Sequence, residues 1–206
     1  MKAKQIALIL VPLNIILAYF VYNSINSEVR FQKVAKVRIS ENVQKLKDIR
    51  AVQIAYKSKF QGFADNFDSL MTFLNTDSVA VVRSEGEAPD SLTEIEALEA
   101  GLISRDTIFV DAISHIFNED YLETRDENIP VDVDSLQYIP HTKNKSYNID
   151  AGSVEKGKVI VQVFEVSATY GNVLTGLDAE NKKYDLKSFL KVGSMSEASL
   201  NGNWGE

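Results

Sequence analysis

From Ile6 to Tyr22 the chain reads IALILVPLNIILAYFVY, 17 residues without a charge. A run of this kind must be covered by lipid, covered by protein, or cut away. As an α-helix it rises ~26 Å, just short of the ~30 Å hydrocarbon core of a bilayer. Ile25 and the snorkelling stem of Lys4 supply the remainder. Tyr19, Phe20 and Tyr22 crowd the outer end, where an aromatic belt belongs. Pro12 and Asn14 interrupt the run, and a membrane helix tolerates Pro where neighbouring groups satisfy the freed carbonyl. A cleaved signal peptide has a shorter apolar core and a small-x-small cleavage site. Here the core is longer, and the chain after it reads Tyr22-Asn23-Ser24-Ile25-Asn26-Ser27. Residues 1–23 are therefore expected to anchor the chain in a membrane. Lys2 and Lys4 precede the span while Arg30, Lys33, Lys36 and Arg38 follow it, so basic residues alone do not orient it. A four-residue tail is more easily left inside than translocated, which places the rest of the chain outside the cytoplasm, on the inner membrane.

Ser24 to Phe60 contains neither Pro nor Gly, and its apolar residues recur at helical spacing. Val29, Val34 and Val37 lead into Ile39, Val43, Leu46, Ile49, Val52, Tyr56 and Phe60, a stripe of about 3.5-residue period. Lys45, Lys47, Asp48, Arg50 and Lys57 lie largely off it. The expectation is one helix running from the span for roughly 55 residues, ~80 Å, stopped by Gln61-Gly62. Residues 24–62 then form an amphipathic basic stalk whose distal half docks on the globular part and whose proximal half extends beyond it. Leu17, Val29, Val37, Val43 and Leu46 are the candidate assembly surface, facing like subunits or a partner helix. The basic stalk also suits anionic lipid headgroups.

Charge divides at the end of this helix. Residues 1–62 carry 11 Lys/Arg against 3 Asp/Glu, and residues 63–206 carry 11 against 26. An acidic body of this size is not expected to bind nucleic acid. With no Cys, disulfide scaffolds, thiol catalysis and Cys-ligated zinc are excluded.

The segment Asp48-IRAVQIAYKSKFQGFADNFDSLMTFL-Asn75 resembles, in layout, the type II secretion pseudopilins and related type IV pilins. In that family a hydrophobic N-terminal helix becomes amphipathic, then gives way to a Gly-aromatic turn and a short leucine-bearing segment. The matching residues are Ile49, Ala51, Ala55 and Tyr56, then Gly62-Phe63 and Phe67-Asp68-Ser69-Leu70. The family's leader Gly and following Glu are absent from Lys4-Gln5-Ile6-Ala7-Leu8. Over more of its length the chain is similar to a membrane-anchored family of the Bacteroidota, through Leu46-KDIRAVQIAYKS, Gly101-LISRDTI, Val163-FEVSA and Val192-GSMSEASLNGNWGE. That second resemblance implies a location and no particular activity.

Residues 63–206 read as an acidic α+β head of short helices and a mostly antiparallel sheet. Phe67 to Asn75 reads as a short helix capped by Asp65 or Asn66. Ser91 with Glu94 and Thr93 with Glu96 are overlapping capping boxes for a helix that carries Ile95 and Leu98 and stops at Gly101. Strands are expected at Val79–Arg83, Thr107–Ile113, Leu136–Ile139, Ser146–Ala151 and Lys158–Ala168. Asn118–Asn128, Gly152–Gly157 and the tail from Lys191 are expected as loops.

No hydrolase or nucleotide-binding motif is present, and neither His115 nor His141 has a metal-ligand partner at useful spacing. Asp178, Glu180, Asn181 and Asp185 could offer oxygens to calcium, which the pseudopilin resemblance also implies for a C-terminal loop. Asp126, Asn128, Asp132 and Asp134 are a second such cluster, and solvated acidic loops are the commoner reading of both. Trp204 either packs back on the head or serves as a partner contact. The expected function is non-enzymatic: a pseudopilin-like structural or accessory subunit of an envelope secretion or pilus-like assembly. The alternative is a tethered periplasmic binding or scaffold module that forms no filaments.

Overall fold

The computed structural model describes residues 3–86, 89, 92–180 and 182–205, with α1 side chains described from position 10 onward. Helix α1 (Ala3–Phe60) is unbroken over 58 residues, ~87 Å. Pro12 does not end it, and the Asn14 amide, a polar group in an apolar run, donates to the Leu10 carbonyl at 2.9 Å. The apolar run from position 10 is exposed, and α1 is long and apolar enough to cross a membrane. The helix stops because Gln61, rather than Gly62, adopts the left-handed conformation (φ 64°), its N–H bonded to the Lys57 carbonyl at 2.9 Å.

Helix α2 (Phe67–Thr76) follows, and of the two expected caps Asn66 is the one used, accepting from the Ser69 N–H at 2.8 Å. Strands β1 (Ser78–Glu85) and β2 (Ser104–Asp111) form an antiparallel ribbon with α3 (Glu94–Glu99) between them. The Thr93–Glu96 capping box is formed, while Ser91 lies outside the described residues. Helix α3 buries Ala97 and leaves Ile95 and Leu98 exposed, the reverse of the face its large apolar residues suggested. Short helices α4 (Ala112–Ile116) and α5 (Glu119–Glu123) replace the end of one expected strand and part of an expected loop. Asp111 and Asn118 provide the reason, accepting from the Ser114 and Tyr121 N–H groups as N-caps.

The second sheet is β3 (Asn148–Lys156), β4 (Val159–Thr169) and β5 (Phe189–Gly193), in that order and antiparallel throughout. Helix α6 (Tyr170–Val173) links β4 towards β5. β3 runs straight through Gly152 because the turn is made at Gly157-Lys158, both at positive φ. Leu136–Ile139 is not a strand: it turns under Lys45, and only Tyr138 bridges, to Ser146. β5 takes Lys191–Gly193 of the expected C-terminal loop into the sheet, and Gly202 adds a single bridge to Val192. The far half of β4 is buried on both faces, through Val163, Phe164, Val166 and Ala168, while Ile160 at its start is 72% exposed.

The α+β layout stands. The core lies between α1 and this sheet, joining Leu46, Ile49 and Val52 to Leu70, Phe73, Phe164, Val166, Leu190 and Val192. The head does not wait for the distal half of α1. Glu28 meets Lys182 at 2.6 Å, and Phe31 packs on Tyr184 at a 6.2 Å ring separation. Most of the expected free stalk is thus built into the head, because Phe31, Ala35 and Ile39 continue the stripe that the core covers.

Candidate functional site

Helix α1 has two unlike faces beyond the apolar run. One is sealed by the head, and its polar residues are used as fasteners. Arg38 donates to the Thr175 carbonyl. Buried Asn42 accepts from the Tyr147 hydroxyl at 2.6 Å. Gln53 is fully buried and clamps both backbone groups of Ala64, donating to its carbonyl at 2.8 Å and accepting from its N–H at 2.9 Å.

At the centre of this ladder Asp48 is buried opposite buried Arg125. Arg125 Nε donates to Asp48 Oδ1 at 3.0 Å and its terminal nitrogen to Oδ2 at 2.7 Å, a bidentate pair. Tyr121 Oη and Gln44 Nε2 also donate to Oδ1, at 2.8 and 3.0 Å. Burial, and then the Asp48 charge, push the Tyr121 hydroxyl above the usual tyrosine value. Burial does the same to Tyr147. The hydrogen bonds that Arg125 donates to Asp48 raise its pKa above the ordinary arginine value. Sequence reasoning placed Asp48 and Lys45 off the packed stripe. Its one usable signal was the recurrence of Asn42, Gln53 and Asp48 among residues that the helical period turns inward.

A cleft of about 320 Å³ lies beside the ladder, lined by Glu41, Lys45, Asp132, Ser135, Pro140 and His141. Lys45 and Ser135 here have the residue types of a serine–lysine pair, but their bonding is structural. Lys45 Nζ donates to Ser135 Oγ at 2.8 Å, to the Tyr138 carbonyl at 3.1 Å and to the Ser135 carbonyl, using all three of its donors. Ser135 Oγ in turn donates to Asp132. Burial lowers the Lys45 ammonium below the ordinary lysine value, and the Asp132 and Asp48 carboxylates oppose that shift. The arrangement fastens the 132–138 turn to the helix. His141, held at positive φ (62°), meets Glu41 at 2.6 Å across the cleft mouth.

The other face of α1 is uncovered from the apolar run as far as Ser40. Val29 (60% exposed), Lys33, Lys36 and Ser40 follow one another along it; beyond them Val43, Lys47 and Ala51 are partly covered by the head before Ile54 is exposed again. Of the candidate assembly residues, Leu17, Val29 and Val37 are exposed, and Val43 is half-buried. Leu46 has no exposed surface; it is spent in the chain's own core and has none to offer a second copy.

Asp178, Glu180 and Asp185 are exposed, and Asp185 accepts from the Lys187 N–H at 3.0 Å. Asn181 lies outside the described residues. Asp126 accepts from both Asn128 nitrogens, Asp132 caps the Ser135 turn, and Asp134 is exposed. Among the described residues, no three His, Asp or Glu side chains converge as metal ligands. Trp204 is packed against the core, its ring lying where a Cβ on Gly202 would fall. The most exposed apolar residues of the head are elsewhere: Phe109 (74% exposed), Ile95 and Val82 on and beside the ribbon, and Ile160 and Val159 at the start of β4.

No family model, no curated protein and no solved structure matches this chain.

Proposed function

We propose that the protein is a membrane-anchored, pseudopilin-like structural or accessory subunit of an envelope assembly, its head outside the cytoplasm. One observation carries this reading: a single helix supplies the apolar run, an uncovered flank and the buried spine of the head. A tether alone needs no rigid continuity between its anchor and its folded domain. Continuity makes sense where the position of each head must follow the position of its anchor. The uncovered flank is basic while the head is acidic, so neighbouring copies attract where flank meets head and repel where head meets head.

The absence of native Cys gives a clean test. Paired cysteines at Leu17 with Val29, and at Leu17 with Val37, are oxidised in intact membranes. Ladders above the dimer, weakened by added salt, support assembly. Monomers and dimers alone from every pair overturn it. Labelling of a single head cysteine by an impermeant reagent in intact cells tests the orientation.

The exposed ribbon favours a second reading, a tethered binding module. Two-stranded ribbons are marginal in water by themselves, and this one holds Phe109 and Val82 outward on one face with no sheet neighbour. If Phe109→Ser abolishes function while cross-linked ladders persist, partner capture by the head is the activity that matters.

A further inference from the structure

The base of the head stands very close to the end of the apolar run. Arg30, Lys33 and Lys36 lie 5, 8 and 11 residues beyond Ile25, hence ~8, ~12 and ~17 Å above it along the axis. All three are exposed and share the side of α1 that turns away from Phe31, Ala35 and the head. Side chains on an α-helix lean towards its N-terminus, so these three stems point back towards the apolar run. Lys182 from the head loop reaches the same level, but Glu28 already holds it at 2.6 Å, and Gln32 donates to the other oxygen of Glu28 at 2.7 Å.

The charges around this base are unevenly placed. The head loop offers Lys183 and Lys187 against Asp178, Glu180 and Asp185, close to balance. Arg38 is turned inward to the Thr175 carbonyl. The helix side carries Arg30, Lys33 and Lys36 with no carboxylate among its exposed residues from 29 to 40. Three unopposed cations in a chain of net charge -7, at about the height of the headgroups, complement an anionic membrane surface.

We propose that Arg30, Lys33 and Lys36 form a docking surface for anionic phospholipid headgroups, seating the head on the bilayer. The proposal rests on the apolar run being a membrane span. Single copies of the full chain in phosphatidylcholine nanodiscs with about 30 mol% phosphatidylglycerol test it without neighbouring subunits, since each basic residue engaged contributes roughly fivefold in binding. A donor dye on Val37→Cys reports energy transfer to trace tail-labelled phosphatidylglycerol or, separately, phosphatidylcholine. Transfer to the anionic lipid is expected to exceed transfer to the neutral one by about threefold at low salt and to approach equality at ~0.5 M salt. The triple variant Arg30→Gln, Lys33→Gln, Lys36→Gln is expected to lose the preference while the head keeps its melting temperature. Equal transfer to both lipids at low salt, or a preference that survives in the triple variant, overturns the proposal. A chain that does not enter the discs overturns the span itself, and the proposal with it.

Discussion

Arg125 carries a charge into the interior because Asp48, one bidentate contact away, is there to receive it. Removing one partner leaves the other charged and unpaired where little water reaches it. Asp48→Ala is therefore expected to cost about 3–5 kcal/mol, whereas Asp48→Leu with Arg125→Met costs far less. Urea unfolding of the full chain in detergent, followed by head fluorescence, separates the two. Gln61 presents the opposite case, an L-residue held at φ 64° where glycine is at ease. Gln61→Gly is expected to stabilise the head by about 0.5–1 kcal/mol in the same assay, since it relieves left-handed strain but loosens the unfolded chain.

Titration acts at this scale as well. Asp132 is held below the usual carboxylate range, first by the Ser135 hydroxyl, and Asp111 and Asp126 are lowered first by the backbone N–H groups of Ser114 and Asn128. A lowered carboxylate stabilises the fold above its unfolded value of about 3.9, and that contribution disappears as pH falls through the folded value. Tyr121 and Tyr147 are raised, so their contribution is complete below the ordinary value of ~10 and is lost as pH climbs past it. Melting temperature is expected to be flat near neutrality and to fall below about pH 4 and above about pH 10. Tyr147→Phe should soften the alkaline limb; an unchanged limb would show that another group sets it.

Among the elements, β5 decides whether the sheet closes. Gly193 pairs with Glu165 at φ 76°, and a Cβ there would stand 2.2 Å from the Phe164 carbonyl oxygen. The atoms it would meet are all β4 backbone, with no flexible side chain to give way, so Gly193→Ala is expected to cost more than ~2 kcal/mol and to expose Trp204, read as a red shift in its emission. Glycine and polar residues made this segment look like a tail, although its pairing partner β4 was legible from alternation alone. Helix α2 was legible for the contrary reason: its cap, Asn66, and its buried face, Phe67, Leu70, Phe73 and Leu74, are all local in sequence. Leu136–Ile139 failed as a strand because Lys45, some ninety residues earlier, supplies the bonds that hold it as a turn.

Across the whole molecule, α1 carries both the candidate membrane span and the spine of the core. Its inward face joins the elements of the head to one rod, and its outward face leaves Val29, Lys33, Lys36 and Ile54 available along that rod. Length, apolar run, basic flank and acidic head were all readable beforehand, because each depends on composition or on a period within one segment. Which residues of the helix remained free was not readable. Val37 and Leu46 have similar sequence credentials, yet one is 52% exposed and the other fully buried.

The sequence by itself determined that a long helix opens with an apolar run, that charge changes sign near residue 62, and that a mixed helix-and-strand head follows. Hydrophobic period and capping chemistry act over a few residues, so they survive without a fold. Only the tertiary structure decided that the head starts at Glu28, that Asp48 belongs inside, and that Phe189–Gly193 is a strand. Those outcomes depend on partners 77 residues away for Asp48 and 154 for Glu28, distances over which no local pattern carries information. A buried charge or an unremarkable strand becomes favourable only when packing brings its complement to it.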